Sequence, residues 1–244
     1  FDLCLHVALN WTYRGLRVHG GPCVYCAFEG QSGIAVRAEA FRQEHLTEET
    51  DPIPLFLVTV PLDLIADHGE LIDAIRAQIG DDKPVIVTLD TLNRSLRGSE
   101  NSDEDMAAYV NAADAIKIHF GCAVLIIHHC GHDGSRPRGH SALPAAVDVQ
   151  IKVSRDAADN IVTAVEYAKD GPVGYTVASR LKVREVGVDD NEQAITSCVV
   201  LATETAVPTA RATPRKLPRT ARTALAALEQ AVREAGEPAP VSEH

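Results

Sequence analysis

Two short apolar runs with a helix pattern between them constrain this chain more than any other feature. Val85–Leu89 ends at Asp90, and Ala123–Ile127 ends at the pair His128-His129. Short apolar runs closed by polar turns are the pattern of strands buried on both faces, as in parallel sheets. Between them, Asp103–Phe120 has helix composition, with Met106, Tyr109, Val110, Ala113 and Ile116 at near-helical spacing. Strand, helix and strand in this order make a βαβ unit with a right-handed crossover. Ligands of open α/β sheets bind at the carboxyl ends of the strands, the edge where Asp90 and His128 stand.

The rest of the chain extends this unit. Phe1–Trp11 is apolar almost all round and reads as a buried helix. Nothing precedes it to cap its N–H groups, so the expectation is a processed or cut N-terminus. Cys23–Phe28 is a strand that ends at Glu29, followed by Gly30-Gln31-Ser32-Gly33; Ile34–His45 is a helix with Arg37, Arg42 and Gln43 on its polar side. Leu55–Val60 is a strand, and Asp67–Ile79 is a helix with Leu71, Ile72, Ile75 and Ile79 on one face. Asp148–Val153 and Ala194–Ala202 are strands, and Ile161–Tyr167 with Val173–Lys182 forms an antiparallel hairpin turning at Asp170-Gly171. The expected fold is α/β: a mostly parallel sheet flanked by helices, an antiparallel hairpin extension and a short C-terminal helix. Residues 1–205 form the core. Residues 206–222 form a basic linker, with Pro208, Pro214 and Pro218 and no acid, and 223–244 begin a helical module with an amphipathic helix over Thr223–Ala235.

Composition enters where it excludes. The 244 residues suffice for one full core. Six cysteines without framework spacing fit a reducing cytoplasm. Cys23 and Cys26 form a C-x-x-C, but on a strand these positions face opposite sides, against a redox or zinc role. No apolar run reaches the roughly eighteen residues of a membrane span, so none is expected. A net charge of −11 disfavours whole-surface nucleic-acid binding and leaves room for a local basic patch.

The chemistry gathers at strand ends. A carboxylate at the tip of a buried strand is costly unless it meets a cation or donors; Asp90 suits a hydrated Mg²⁺, which Thr91 can share. Glu29 at a second tip suits the group that polarises an attacking water, so the pair suits a nucleotide hydrolase. The string His128-His129-Cys130-Gly131-His132-Asp133, with His140 beyond, admits three readings: a metal cluster, a phosphate sensor and a core-bonded pair. Arg136, Arg138 and His140 lie in a basic loop able to meet phosphates of nucleotide or DNA.

The segments VYCAFEGQSGIAVRAEAFRQEH, VIVTLDTLNRSLRGSENSDEDMAAYV, VLIIHHCGHDGSRPRGHSALPAAVD and YAKDGPVG together resemble a RecA-type P-loop ATPase, closest to the RepA-like helicase group, the AAA family ATPases of phages and mobile elements. The resemblance covers about residues 1–205. It implies a RecA-like core that hydrolyses ATP with Mg²⁺, forms a ring or filament and acts on DNA during replication. It makes Glu29 the catalytic glutamate, Asp90 the Walker B aspartate, His128 and His129 the phosphate-sensing pair, and Lys169 a contact to a neighbouring subunit's γ-phosphate. The loop with Arg136, Arg138 and His140 would face the DNA channel. Two departures stand out. The G-x-x-x-x-G-K-[ST] loop, which in this family would end just before Phe1, is absent, so residues 1–244 are expected to hydrolyse ATP barely. His132 stands where the family usually has Lys, implying a pH-sensitive phosphate contact.

Two other readings remain open. One is a metal-dependent hydrolase using His128, His132, His140 and Asp90. The other is a non-catalytic DNA-binding or assembly subunit acting through Arg211, Arg215, Lys216, Arg219 and Arg222.

Overall fold

The computed structural model describes residues 1–47, 52–131 and 142–203, together with Thr223, Ala224, Ala227 and Gln230. The chain divides into two compact units, Phe1–Val207 and Pro208–His244. In the second, the four described residues are helical; the rest of the expected Thr223–Ala235 helix, and the basic segment 206–222, lie outside the described residues.

The first unit carries two sheets. The parallel sheet has the order β2-β1-β3-β4, built from β1 (Cys23–Ala27), β2 (Leu55–Val58), β3 (Ile86–Asp90) and β4 (Ala123–Ile127). Strand β1 shows why both faces are covered. Val24 and Cys26 join the core under α3 (Leu64–Ile79) and α4 (Asp103–Phe120). Cys23, Tyr25 and Ala27 join a second core with Cys4, Val7 and Ala8 of α1 (Asp2–Ala8) and Ile34 of α2 (Ile34–His45). The period-two alternation of a strand thus splits the two cysteines between the cores. Leu89, next to the end of β3, and Leu92, just past it, are fully buried, each worth about 1.5–3 kcal/mol of transfer free energy.

Helix α4 is defined at both ends by its sequence. Ser102 caps it, its hydroxyl accepting from Asp105 N at 3.2 Å. Asp103, Glu104 and Asp105 fill the first turn and Lys117 and His119 the last, complementing the helix dipole. Gly121 ends it at φ +68, a left-handed position that glycine adopts without strain. Helix α3 begins earlier than its apolar spacing suggests, at Leu64. The reason is a reciprocal cap: Asp63 accepts from Ile65 N at 3.3 Å, while Asp67 accepts from Asp63 N at 2.8 Å.

The second sheet is antiparallel, in the order β5-β6-β7-β8, from β5 (Val149–Arg155), β6 (Ile161–Ala168), β7 (Thr176–Val188) and β8 (Ala194–Ala202). The expected hairpin is the β6–β7 pair. Strand β7 runs six residues beyond its expected end at Lys182, because β8 pairs with it as far as Val188. Helix α1 stops at Ala8 instead of Trp11, where Asn10 turns to φ +53. The α/β architecture expected from the sequence is therefore present: a parallel sheet flanked by helices, with an antiparallel extension. Helix α2 carries that extension. Glu44 receives Lys182 Nζ at 2.9 Å and Arg184 Nη2 at 2.6 Å, both from β7.

Candidate nucleotide site at the parallel strand ends

Register brings the site together. Ala27 is level with Asp90 across β1–β3, and Asp90 is level with Ile127 across β3–β4. The residues that follow each strand, Glu29, Thr91 and His128-His129, therefore emerge at one edge. The edge is stitched by the Asp90 carbonyl, which accepts from Phe28 N at 2.6 Å and from Glu29 N at 3.2 Å. Gly30, at φ +66, then turns the chain into α2.

Three neighbours approach one oxygen of the Glu29 carboxylate. Its Oε2 accepts from Thr91 Oγ1 at 3.2 Å and lies 3.6 Å from Arg94 Nε and 3.8 Å from His129 Nε2. Asp90 is held separately, by a hydrogen bond that the Tyr25 hydroxyl donates to its Oδ2. Burial first, and then this contact with the carboxylate, hold the Tyr25 hydroxyl above its ordinary ionisation range, so it stays a donor. Asp90 Oδ1 takes no hydrogen bond among the described residues.

The turn beneath is anchored to the core. Leu92–Arg94 is a single 3-10 turn, with Arg94 N donating to Thr91 O at 3.1 Å. Ser95, fully buried, places its hydroxyl 3.1 Å from Thr91 O and 2.9 Å from the Tyr109 hydroxyl of α4. Its carbonyl accepts from Leu64 N, the first residue of α3, at 2.8 Å.

Of the residues expected to form the site, the structure brings together Glu29, Asp90, Thr91 and His129, with His128 half-buried beside them. Lys169 stands apart, just past β6. Its N–H donates to Asp148 O at 2.9 Å and its ammonium lies 3.9 Å from Asp148 Oδ1. Asp148 also binds Lys117 Nζ at 2.7 Å, which holds its carboxyl below the usual range. Arg136, Arg138 and His140, and His132, lie outside the described residues. Sequence reasoning missed Tyr25 and Arg94. A tyrosine inside a buried strand needs a partner for its hydroxyl, and that was the available signal for Tyr25. Arg94 carried none beyond its closeness to Asp90.

The C-x-x-C pair is chemically quiet. Burial pushes the Cys23 and Cys26 thiols each up to about 12, leaving them protonated at neutral pH. Among the described residues no group of three or more His, Cys, Asp or Glu could hold a metal ion, and no helix is long and apolar enough to cross a membrane. The oxygen donors at the strand ends nevertheless fit Mg²⁺, a hard cation that keeps most of its waters and needs only one or two carboxylates.

Residues 1–135 match the AAA domain family. The chain belongs to that family. The matched residues span β1 to β4 and every described site residue at the parallel strand ends, so the AAA domain and the parallel sheet coincide. Among solved structures, the chain is similar to the RadB recombinase, with a TM-score of 0.49 and 15% identity over 66% of this chain and 76% of that one. It is also similar to a DnaB-like replicative helicase solved with regard to its interactions with primase, with a TM-score of 0.49 and 10% identity over 71% of this chain and 51% of that one. No curated protein matches it.

Proposed function

We propose that this AAA domain hydrolyses ATP with Mg²⁺ and couples the hydrolysis to movement on DNA, as a helicase-like motor of the RepA-like group. The observation that carries the reading is the alignment of Ala27, Asp90 and Ile127, which puts Glu29, Asp90 and His129 at one sheet edge. Asp90, with its Oδ1 open, and Thr91 would hold the ion through its waters. Mg²⁺ when bound supplies positive charge to the phosphates.

Glu29 orients water for in-line attack on the γ-phosphorus. The bond from the water oxygen to phosphorus forms as the β,γ-bridging bond breaks. ADP leaves with the electron pair, and Glu29 takes the water's proton. Tyr25 keeps Asp90 in place by donating to it. His128 hydrogen-bonds the γ-phosphate, and Lys169 reaches the site of a neighbouring copy in a ring or filament. Arg136, Arg138 and His140 meet the phosphates of DNA, and residues 206–222 link the core to a helical module over 223–244.

The test is DNA-stimulated ATP hydrolysis by the full-length gene product, since residues 1–244 contain no G-x-x-x-x-G-K-[ST] segment. Glu29→Gln and Asp90→Asn are each expected to lower kcat by about a hundredfold or more. A protein that binds DNA with the usual salt dependence but never hydrolyses ATP would establish the non-catalytic reading instead.

A further inference from the structure

We infer that Thr91 and Arg94 are positioning residues for Glu29, fixing which of its two oxygens faces the attacking water. The inference rests on the reading of Glu29 as the group that orients that water. A glutamate at a strand tip has three side-chain torsions, and Glu29 is 42% exposed, so burial alone does not select its rotamer. Freezing such a side chain costs rotamer entropy, and an unaligned carboxylate forfeits much of the advantage of holding water near the reacting atom. The three neighbours of Glu29 all converge on Oε2, at 3.2 Å from Thr91, 3.6 Å from Arg94 and 3.8 Å from His129. Oε1 is the oxygen this arrangement assigns to the attacking water.

The two residues from the β3 end are suited to this work in different ways. Thr91 is 4% exposed, so its hydroxyl is a fixed donor, and the oxygen keeps lone pairs for a metal-bound water. Arg94 is 60% exposed, with its Nε 3.6 Å from Glu29 Oε2, so it contributes charge and direction more than strength. Both sit on the turn that Ser95 and Tyr109 tie to the core, so the clamp inherits its rigidity from α4.

The test is a double-mutant cycle on the full-length protein. Thr91→Val and Arg94→Gln are each expected to lower kcat about threefold to tenfold. For Arg94→Gln the affinity for a fluorescent ATP analogue should stay unchanged, and Arg94→Lys should recover part of the loss. In a Glu29→Gln background the same substitutions should be silent in single-turnover hydrolysis. A second cycle needs no nucleotide: the shifts in unfolding midpoint for Glu29→Gln and Arg94→Gln should be non-additive. Additive losses in the Glu29→Gln background, or a weakened analogue affinity, would overturn the inference and make Arg94 a direct nucleotide contact or a merely structural residue. A Glu29→Gln protein as active as the wild type would instead sink the reading of Glu29, and this inference with it.

Discussion

The Ser95–Tyr109 hydrogen bond gives the most exposed prediction about what holds the site. Both residues are fully buried, and their oxygens are 2.9 Å apart. Ser95 has one hydroxyl proton and a nearer carbonyl acceptor in Thr91 O, at 3.1 Å, than in Leu92 O, at 3.3 Å. It therefore donates to the backbone and accepts from Tyr109. Burial raises the Tyr109 hydroxyl well above its ordinary ionisation range, so it stays a donor even in alkaline buffer. Tyr109→Phe removes that donor and strands a buried lone pair, at a cost of about 1–2 kcal/mol. Ser95→Ala is worse, since it leaves a buried O–H without an acceptor, and costs about 2–3 kcal/mol. The double variant has no stranded group, so its loss should fall short of the sum by about 1 kcal/mol. Urea unfolding followed by circular dichroism measures all three, and for Tyr109→Phe the thermal midpoint should drop by about 2–8 °C. Strict additivity, or a Tyr109→Phe protein within about 0.3 kcal/mol of wild type, would refute the assignment of donor and acceptor.

Three further predictions concern other parts of the core. Gly121→Ala should destabilise by about 1 kcal/mol through backbone strain alone, because among the described residues no atom beyond its chain neighbours lies within 4 Å of the added methyl group; a neutral result in chemical denaturation would contradict the left-handed cap. His45 has its pKa lowered from 6.5 by burial and then by His6, with Arg14 adding to the effect and Asp2 and Glu44 opposing it. The unfolded chain therefore binds the proton more readily. The stability contributed by neutral His45 is full above pH 6.5 and is lost as pH falls through the folded value. His45→Gln should flatten that slope in midpoints measured between pH 7.5 and pH 5. A thiol reagent at neutral pH should label Cys130 and Cys198, both exposed, before Cys23 and Cys26, whose buried thiols titrate near 12; early labelling of either would mean that β1 opens locally.

Some of this molecule is legible residue by residue. The bounds of α2, α4, β4 and β8 coincide with their sequence patterns, and for α4 the stops are written in Ser102 and Gly121. Helix α3 is less legible because its start is set by Asp63 and Asp67 bonding to each other's segment rather than by apolar spacing. The far half of β7 is hidden for another reason. Arg184 and Glu185 make it look like a solvated turn, yet Arg184 pairs with Glu44 and the backbone ladder with β8 continues regardless.

The site divides along the same line. Asp90, Glu29 and His129 can be found in the sequence because a polar residue ending an apolar run announces a strand tip. That they meet depends on strand order, which no local pattern encodes. Strand β1 pairs with β3 as well as with β2, the intervening strand having moved to the outer edge. Had the order followed the sequence, β2 would separate them by two strand spacings, about 9.6 Å. The Asp90 carbonyl could not then reach Phe28 N and Glu29 N, and Thr91 and Arg94 could not reach the Glu29 carboxylate. A glutamate and an aspartate at strand tips thus become one site only through the crossover that carries α3 from β2 to β3. Tyr25 and Arg94 were missed on the same ground, since each acts across the β1–β3 boundary that this crossover creates.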